Sequence, residues 1–270
     1  MNTWNSLDGL DRRLVKALAK LGFMGPTECQ TKAIPIALLG RDIMLKSRTG
    51  SGKTCAFALP VLQKILTYRD ANPNSLPHIK SVILVPTKEL CKQIEDVLFD
   101  LIYYCKDAVS IGAIDDARIK RKSFDTKPDI MIATPKSLLQ LLDSHAVDLT
   151  QVKCVVIDEA DLVLSFGYDA DMLSIASKMP KIYQGIIVSA TLSNELGKLR
   201  RKMLHNPVVL DIKEAKLKNE RMQQYYLETC EKDKYLVLFV FLKLGLLKGK
   251  GLIFVNDVDK CFRIKLFLQQ

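Results

Sequence analysis

The stretch Ser47-Arg48-Thr49-Gly50-Ser51-Gly52-Lys53-Thr54 follows an apolar, strand-like run at residues 42–46 and opens a helical pattern at residues 54–68. Its glycines free the backbone to turn N–H groups inward. The helix that follows aims its N-terminus at the same point, so the loop is built to surround an anion. Lys53 is placed for the β- and γ-phosphates of a nucleotide, and the Thr54 hydroxyl for Mg²⁺. The competing reading is a flexible Gly/Ser turn; the position of Gly52-Lys53-Thr54 between strand and helix argues against it. Ser47 stands where the common pattern has Ala or Gly, and it is small enough to be tolerated there.

Outward from this loop, short apolar runs recur at residues 81–85, 129–133, 153–157, 185–189 and 208–212. Helical patterns at residues 88–104 and 135–142 separate some of them. Strand and helix in alternation predict an α/β fold with a parallel sheet covered by helices on both faces. Ligands of such sheets sit at the carboxyl ends of the strands. One of those ends carries Asp158-Glu159-Ala160-Asp161, directly after Val155-Val156-Ile157. A carboxylate at a strand tip can hold Mg²⁺, the role given to Asp158, and Glu159 can polarise an attacking water. Taken alone, the same four residues could be a helix N-cap with an acidic first turn.

Together the two motifs resemble the DEAD-box RNA helicases, and further signatures follow in that family's order. Gly22-Phe23, Pro26-Thr27 and Gln30 resemble the Q motif, with Trp4 in place of its upstream aromatic. That resemblance implies that Gln30 reads adenine, which selects ATP over GTP, and that Phe23 contacts the base. Arg48, Thr49, Gly50, Ser51, Gly52, Lys53 and Thr54 then bind the nucleotide, with Lys53, Asp158 and Glu159 catalytic and Thr54 and Asp158 on Mg²⁺. Pro86-Thr87-Lys88-Glu89-Leu90 resembles motif Ia, with Lys88 replacing the usual arginine. Thr134-Pro135 resembles the start of motif Ib, followed by Lys136-Ser137 in place of Gly-Arg, and Gly112-Ala113 stands where a double glycine is common. Pro86, Thr87, Lys88, Thr134 and Pro135 are thereby implied RNA contacts. Ser189-Ala190-Thr191 resembles motif III, which with Asp161 couples the nucleotide state to domain closure. Ile253-Phe254-Val255-Asn256 resembles motif IV, the opening of a second domain.

The resemblance implies a RecA-like ATP-binding domain at residues 1–211, a linker at 212–222 rich in lysine and glutamate, and the start of a second RecA-like domain at 223–270. In that last part residues 223–227 and 251–255 read as strands and 234–247 and 259–269 as helices, with 235–247 as a buried helix. The motifs that supply the family's arginines to the γ-phosphate do not occur in these 270 residues. The polypeptide alone is therefore expected to bind nucleotide weakly and to hydrolyse it slowly. A non-hydrolysing scaffold that binds ATP and RNA is the alternative to a helicase. The runs at residues 86–90, 161–168 and 204–208 further resemble nucleolar helicases of large ribosomal subunit assembly. That implies pre-ribosomal RNA and pre-ribosomal particle proteins as partners and the nucleus and nucleolus as location, with the cytoplasm as alternative.

Composition is compatible with this. Forty Lys and Arg against thirty Asp and Glu give a net charge of +10, which favours polyanion partners without identifying one. No apolar run is long enough to span a bilayer, so no membrane partner is expected, and the N-terminus has no signal-peptide pattern. The seven cysteines have no metal-ligand spacing and read as buried free thiols. His78, His145 and His205 read as surface or loop residues. Phe99, Tyr103 and Tyr104, at helical spacing, read as core packing. Residues 118–122, Arg-Ile-Lys-Arg-Lys, form either a solvated helix face or an RNA-phosphate contact.

Overall fold

The computed structural model describes residues 3, 4, 7–114, 127–191, 194–212, 223–247 and 249–269. The basic run 118–122 and the linker residues 213–222 lie outside the described residues. The chain divides into two compact units, Met1–Glu214 and Ala215–Gln270.

In the first unit seven strands form one sheet in the order β3-β4-β2-β5-β6-β1-β7, with every neighbouring pair parallel. They are β1 (Ile43–Lys46), β2 (Ser81–Leu84), β3 (Ile111–Ala113), β4 (Ile130–Ala133), β5 (Cys154–Ile157), β6 (Gln184–Ser189) and β7 (Val208–Asp211). The apolar runs of the central strands β4, β2, β5 and β6 are buried on both faces, whereas β7, at the sheet edge, is only partly covered. Alternate residues enter two separate cores, as the side-chain period of two requires. Ile83, Ile132 and Val156 face a core shared with α1 (Arg12–Lys20), α2 (Glu28–Leu38), α3 (Lys53–Ala71) and α4 (Lys88–Leu101). Val82, Met131 and Val155 face a core shared with α5 (Pro135–Asp143), α6 (Ala160–Ser165), α7 (Asp169–Ser177) and α8 (Asn194–Met203).

All strands being parallel, their carboxyl ends share one edge of the sheet. The loops after β4, β2, β5, β6 and β1 therefore lie side by side along that edge. Close packing fixes Gly185 in β6: a Cβ there would lie 2.3 Å from Leu204 Cδ2 and 2.8 Å from the Met203 carbonyl oxygen. Behind the sheet, the buried Asp129 carboxylate gathers Arg69 Nη2 at 2.8 and 3.0 Å, Lys80 Nζ at 2.8 Å and the Ser110 N–H at 3.0 Å. This ties α3, β2 and the approach to β3 to the start of β4.

The second unit holds a 3₁₀ turn (Glu231–Asp233), α9 (Lys234–Lys243) and α10 (Val258–Gln269). The two helices meet through Phe267, whose ring packs edge-on against Tyr235 at 5.6 Å and Phe239 at 6.4 Å. The segments 223–227 and 251–255 expected as strands carry no ladder, because a strand exists only against a partner and none pairs with them among the described residues. Likewise α9 forms where expected but is not buried: it has no buried residue, and Leu236 and Phe239 are well exposed. An all-round apolar helix needs a sheet to cover it, and the described part of this unit has none. Two other expectations are corrected. Cys230 and Cys261, in this same unit, are exposed, while the other five cysteines are buried. Phe99, Tyr103 and Tyr104 are 46–54% exposed: α4 turns Ile94 and Leu98, not Phe99, to the core, and the two tyrosines lie in the turn beyond its end.

Candidate nucleotide-binding and hydrolysis site

The loop between β1 and α3 takes its shape from two left-handed glycines, Gly50 at φ +79° and Gly52 at φ +87°. Gly52 is the N-cap of α3 and offers no side-chain cap, so the first N–H groups of this helix face the loop's hollow. Lys53 is buried, and its Nζ donates to the Ser47 carbonyl at 2.9 Å. Arg48, Thr49 and Gly50 form the exposed lip, and Thr54 is half-buried on the first turn of α3. Ser47 does more than fit: its hydroxyl donates to Ser51 Oγ at 2.6 Å, and Ser51 Oγ donates to the Arg48 carbonyl at 2.9 Å. The sequence flagged position 47 as a departure but gave no sign of this bond.

The Q-motif residues close the loop from the other side. Thr27 caps α2 reciprocally with Gln30: Thr27 N–H donates to Gln30 Oε1 at 2.8 Å, and Gln30 N–H to Thr27 Oγ1 at 3.3 Å. Both side chains then reach the nucleotide loop, Thr27 Oγ1 donating to the Ser51 carbonyl at 2.8 Å and Gln30 Nε2 to that of Gly52 at 3.1 Å. Gln30 is thus 5% exposed, and its amide spends one lone pair and one hydrogen on these bonds and keeps one of each. Phe23 presents an open ring, 44% exposed, while the buried Trp4 donates from Nε1 to the Phe23 carbonyl at 2.8 Å.

Asp158 sits at the tip of β5, buried, its N–H donating to the Leu84 carbonyl at 2.9 Å and its Oδ1 accepting from the Glu159 N–H at 2.9 Å. Burial pushes its pKa up to about 6, and the Glu159 and Asp161 carboxylates push the same way. The Glu159 N–H and the Lys53 ammonium oppose the rise without cancelling it. A carboxylate in that condition wants a cation. Glu159 itself adopts φ +48°, ψ +47°, a left-handed backbone unusual for a non-glycine residue and typical of functional turns. That turn separates its side chain from Asp158 and starts α6. Asp161, in the first turn of α6, accepts from Thr191 Oγ1 at 3.0 Å, and the Thr191 N–H donates to Ser189 Oγ at 3.3 Å. The Ser47 N–H donates to the Ser189 carbonyl at 3.1 Å. The loop, the acidic turn and the residues after β6 therefore form one connected cluster.

The remaining candidates lie further along the same edge. Thr87 and Thr134 are the N-caps of α4 and α5, accepting from Leu90 N–H and Ser137 N–H, each at 3.3 Å. Pro86, Thr134 and Pro135 are buried, so what they offer outward is main chain, while Lys88 is exposed. The sequence read these Thr-containing pairs as motif fragments and missed that their threonines are helix caps. A Thr directly before a helical pattern, the preferred kind of N-cap residue, was the available signal.

A left-handed glycine loop on a parallel sheet, a buried lysine and a strand-tip acid pair define a P-loop nucleotide-binding domain. Residues 27–199 match the DEAD/DEAH box helicase family, and the chain belongs to it. It is similar to the probable ATP-dependent RNA helicase ddx56 of Dictyostelium discoideum, 39% identical over 266 residues, covering 97% of this chain and 38% of that protein. The ATP-dependent RNA helicase DBP9 of Pyricularia oryzae is 42% identical over 266 residues, covering 97% of this chain and 42% of that protein. Among solved structures, a DEAD box protein from the hyperthermophile Methanococcus jannaschii superposes with a TM-score of 0.70 at 27% identity, covering 100% of this chain and 70% of that one. The chain spans about two-fifths of the length of the curated relatives it matches.

Proposed function

We propose that this chain is the ATP-gripping part of an ATP-dependent RNA helicase, coupling RNA-stimulated ATP hydrolysis to duplex unwinding or remodelling. The observation that carries it is the convergence on one sheet edge of the phosphate loop, the Asp158–Glu159 turn and the Thr191–Asp161 bond. In this reading a phosphate oxygen takes the Lys53 ammonium from the Ser47 carbonyl. Glu159 orients the attacking water, Phe23 stacks on adenine and Gln30 reads its edge. Thr54 and Asp158 would hold Mg²⁺, which would supply charge neutralisation at the phosphates; the buried Asp158 carboxylate, with its raised pKa, fits a cation site. RNA lies over the N-termini of α4 and α5, held by Lys88 and by main chain at residues 86, 87, 134 and 135, without reading bases. Residues 1–211 then form the first RecA-like domain, 212–222 a linker and 223–270 the start of a second.

The finer assignment is pre-ribosomal RNA and pre-ribosomal particles in the nucleolus. It is supported by the runs at residues 86–90, 161–168 and 204–208 and by the likeness to proteins named ddx56 and DBP9. Cross-linking of RNA to the tagged protein in cells tests it: enrichment of ribosomal precursor sequences is expected, and enrichment of messenger RNA alone overturns it. The biochemical test is ATP turnover by the purified chain, with and without single-stranded RNA, beside Glu159→Gln and Lys53→Ala. RNA-stimulated turnover lost in Glu159→Gln identifies a working motor. ATP binding that Lys53→Ala removes, without turnover, identifies a nucleotide-gripping unit that needs residues outside these 270. Absence of ATP binding overturns the reading.

A further inference from the structure

The opposite edge of the sheet, where β2, β5 and β6 begin, holds a cavity of about 550 Å³. Its position is set by α3, which carries Lys53 in its first turn and Lys64 and Tyr68 further along. Eleven residues of helix separate Lys53 from Lys64, roughly 17 Å at 1.5 Å per residue, so the cavity is distinct from the nucleotide loop.

Lys64, Lys80 and Lys153 line this space, and among the described residues no acidic one does. The half-buried Lys64 donates to Gln184 Oε1 at 2.6 Å, a neutral acceptor that leaves its charge uncompensated. Lys153, exposed at the mouth, has no ion-pair partner among the described residues. Lys80 is paired with Asp129 and stands 4.8 Å from the centre of the Tyr68 ring. The nearby carboxylates are already engaged: Asp42 accepts from the Gly185 and His205 N–H groups, and Asp129 from Arg69, Lys80 and Ser110. The walls between the cations are flat or apolar, supplied by Tyr68, Tyr183, Val61 and Ile65. A volume in the range of small-molecule pockets, apolar walls and two lysines, Lys64 and Lys153, without a counter-charge among the described residues describe a ligand site. Water fills such a space poorly on the apolar side, and the ammonium groups select charge.

We propose that this cavity binds a small organic anion, an aromatic ring bearing a carboxylate, with the ring against the tyrosine and aliphatic walls and the carboxylate on Lys64 and Lys153. The site is independent of the nucleotide loop and of any helicase activity, so it stands or falls separately from the reading given above. The test uses the full chain saturated with ADP and Mg²⁺, so that the phosphate loop is occupied. Titration with 2-naphthoate by calorimetry is expected to show saturable one-site binding, at least about tenfold tighter than the uncharged 2-naphthamide. Lys153→Glu, at an exposed position, and Lys64→Gln are each expected to weaken naphthoate about tenfold without changing ADP affinity. Methyl NMR locates the ligand, with shifts expected at Val61 and Ile65. No saturable binding, equal affinity for the amide, or shifts confined to other methyl groups overturns the proposal.

Discussion

Gly52→Ala asks whether the nucleotide loop and the Thr27–Gln30 cap are one mechanical unit. Gly52 has φ +87°, where a side chain costs roughly 1–2 kcal/mol. Its new Cβ would also lie 2.4 Å from Gln30 Nε2 and 3.2 Å from Gln30 Cδ and Thr27 Oγ1. A terminal amide can usually swing aside. Here it is held at both ends, accepting from the Thr27 N–H and donating to the Gly52 carbonyl. Yielding breaks two hydrogen bonds worth about 1 kcal/mol each, so the expected loss of stability is about 3–4 kcal/mol. Urea unfolding followed by the fluorescence of Trp4, the chain's one tryptophan and a buried one, reads the loss in the first unit. Gln30→Ala alone forfeits the same two bonds, about 2 kcal/mol. In the double variant the clash with Gln30 is gone and only the milder 3.2 Å approach to Thr27 Oγ1 remains, so it should be no less stable than Gly52→Ala alone. The two effects then fall short of additivity by about 2 kcal/mol. Losses that simply add would refute the claim that Gln30 stands in the way of a side chain at position 52.

Three further outcomes are expected. In the nucleotide-free protein with EDTA present, folded Asp158 keeps its proton up to about pH 6 against an ordinary value of 3.8, so its contribution to stability is lost as pH rises through 6. Asp158→Asn should therefore stabilise the fold by up to about 3 kcal/mol at pH 8 and little at pH 4; a gain independent of pH contradicts this. Asp129→Ala leaves the buried Lys80 without its counter-charge and should cost roughly 3–5 kcal/mol by thermal or urea unfolding, with Asp129→Asn losing less because it keeps an acceptor. Gly185→Ala drives a Cβ into Leu204 and the Met203 carbonyl and should cost about 1–3 kcal/mol; an unchanged midpoint would show that α8 can shift away from β6.

What the sequence disclosed follows from what each feature demands. A strand buried on both faces has to be apolar throughout, so residues 81–84 and 154–157 were legible to within a residue. The phosphate loop was legible because left-handed turns admit few residues besides glycine and because a lysine must follow them. Short β3 (Ile111–Ala113) escaped notice: three residues, one of them glycine, carry too little pattern. Burial was misjudged where the pattern names an apolar stripe without saying which side is covered, as for Phe99, Tyr103 and α9. The hydrogen bonds that join Thr27, Gln30, Ser47 and Ser51 were invisible for another reason. Those from Thr27 and Gln30 to the loop end on the Ser51 and Gly52 carbonyls, and a carbonyl carries no residue identity for a sequence to display.

The same point explains how the proposed coupling can run through so few side chains. The strand order places β6 between β1 and β5, so the residues after β6 neighbour both the nucleotide loop and the acidic turn. On one side the link is main chain, the Ser47 N–H to the Ser189 carbonyl; on the other it is side chain, Thr191 Oγ1 to Asp161. When a phosphate draws Lys53 away, the Ser47 carbonyl loses its partner at the very residue whose N–H is fixed to Ser189. In the proposed mechanism an adjustment there would pass to Thr191, two residues on, and from Thr191 to the turn that carries Glu159. The Ser189 hydroxyl accepts a long bond from the Thr191 N–H, at 3.3 Å, whereas the Thr191 hydroxyl donates directly to Asp161, at 3.0 Å. In the proposed mechanism, Thr191 is therefore the residue whose side chain would carry the coupling, with Ser189 contributing chiefly a backbone position.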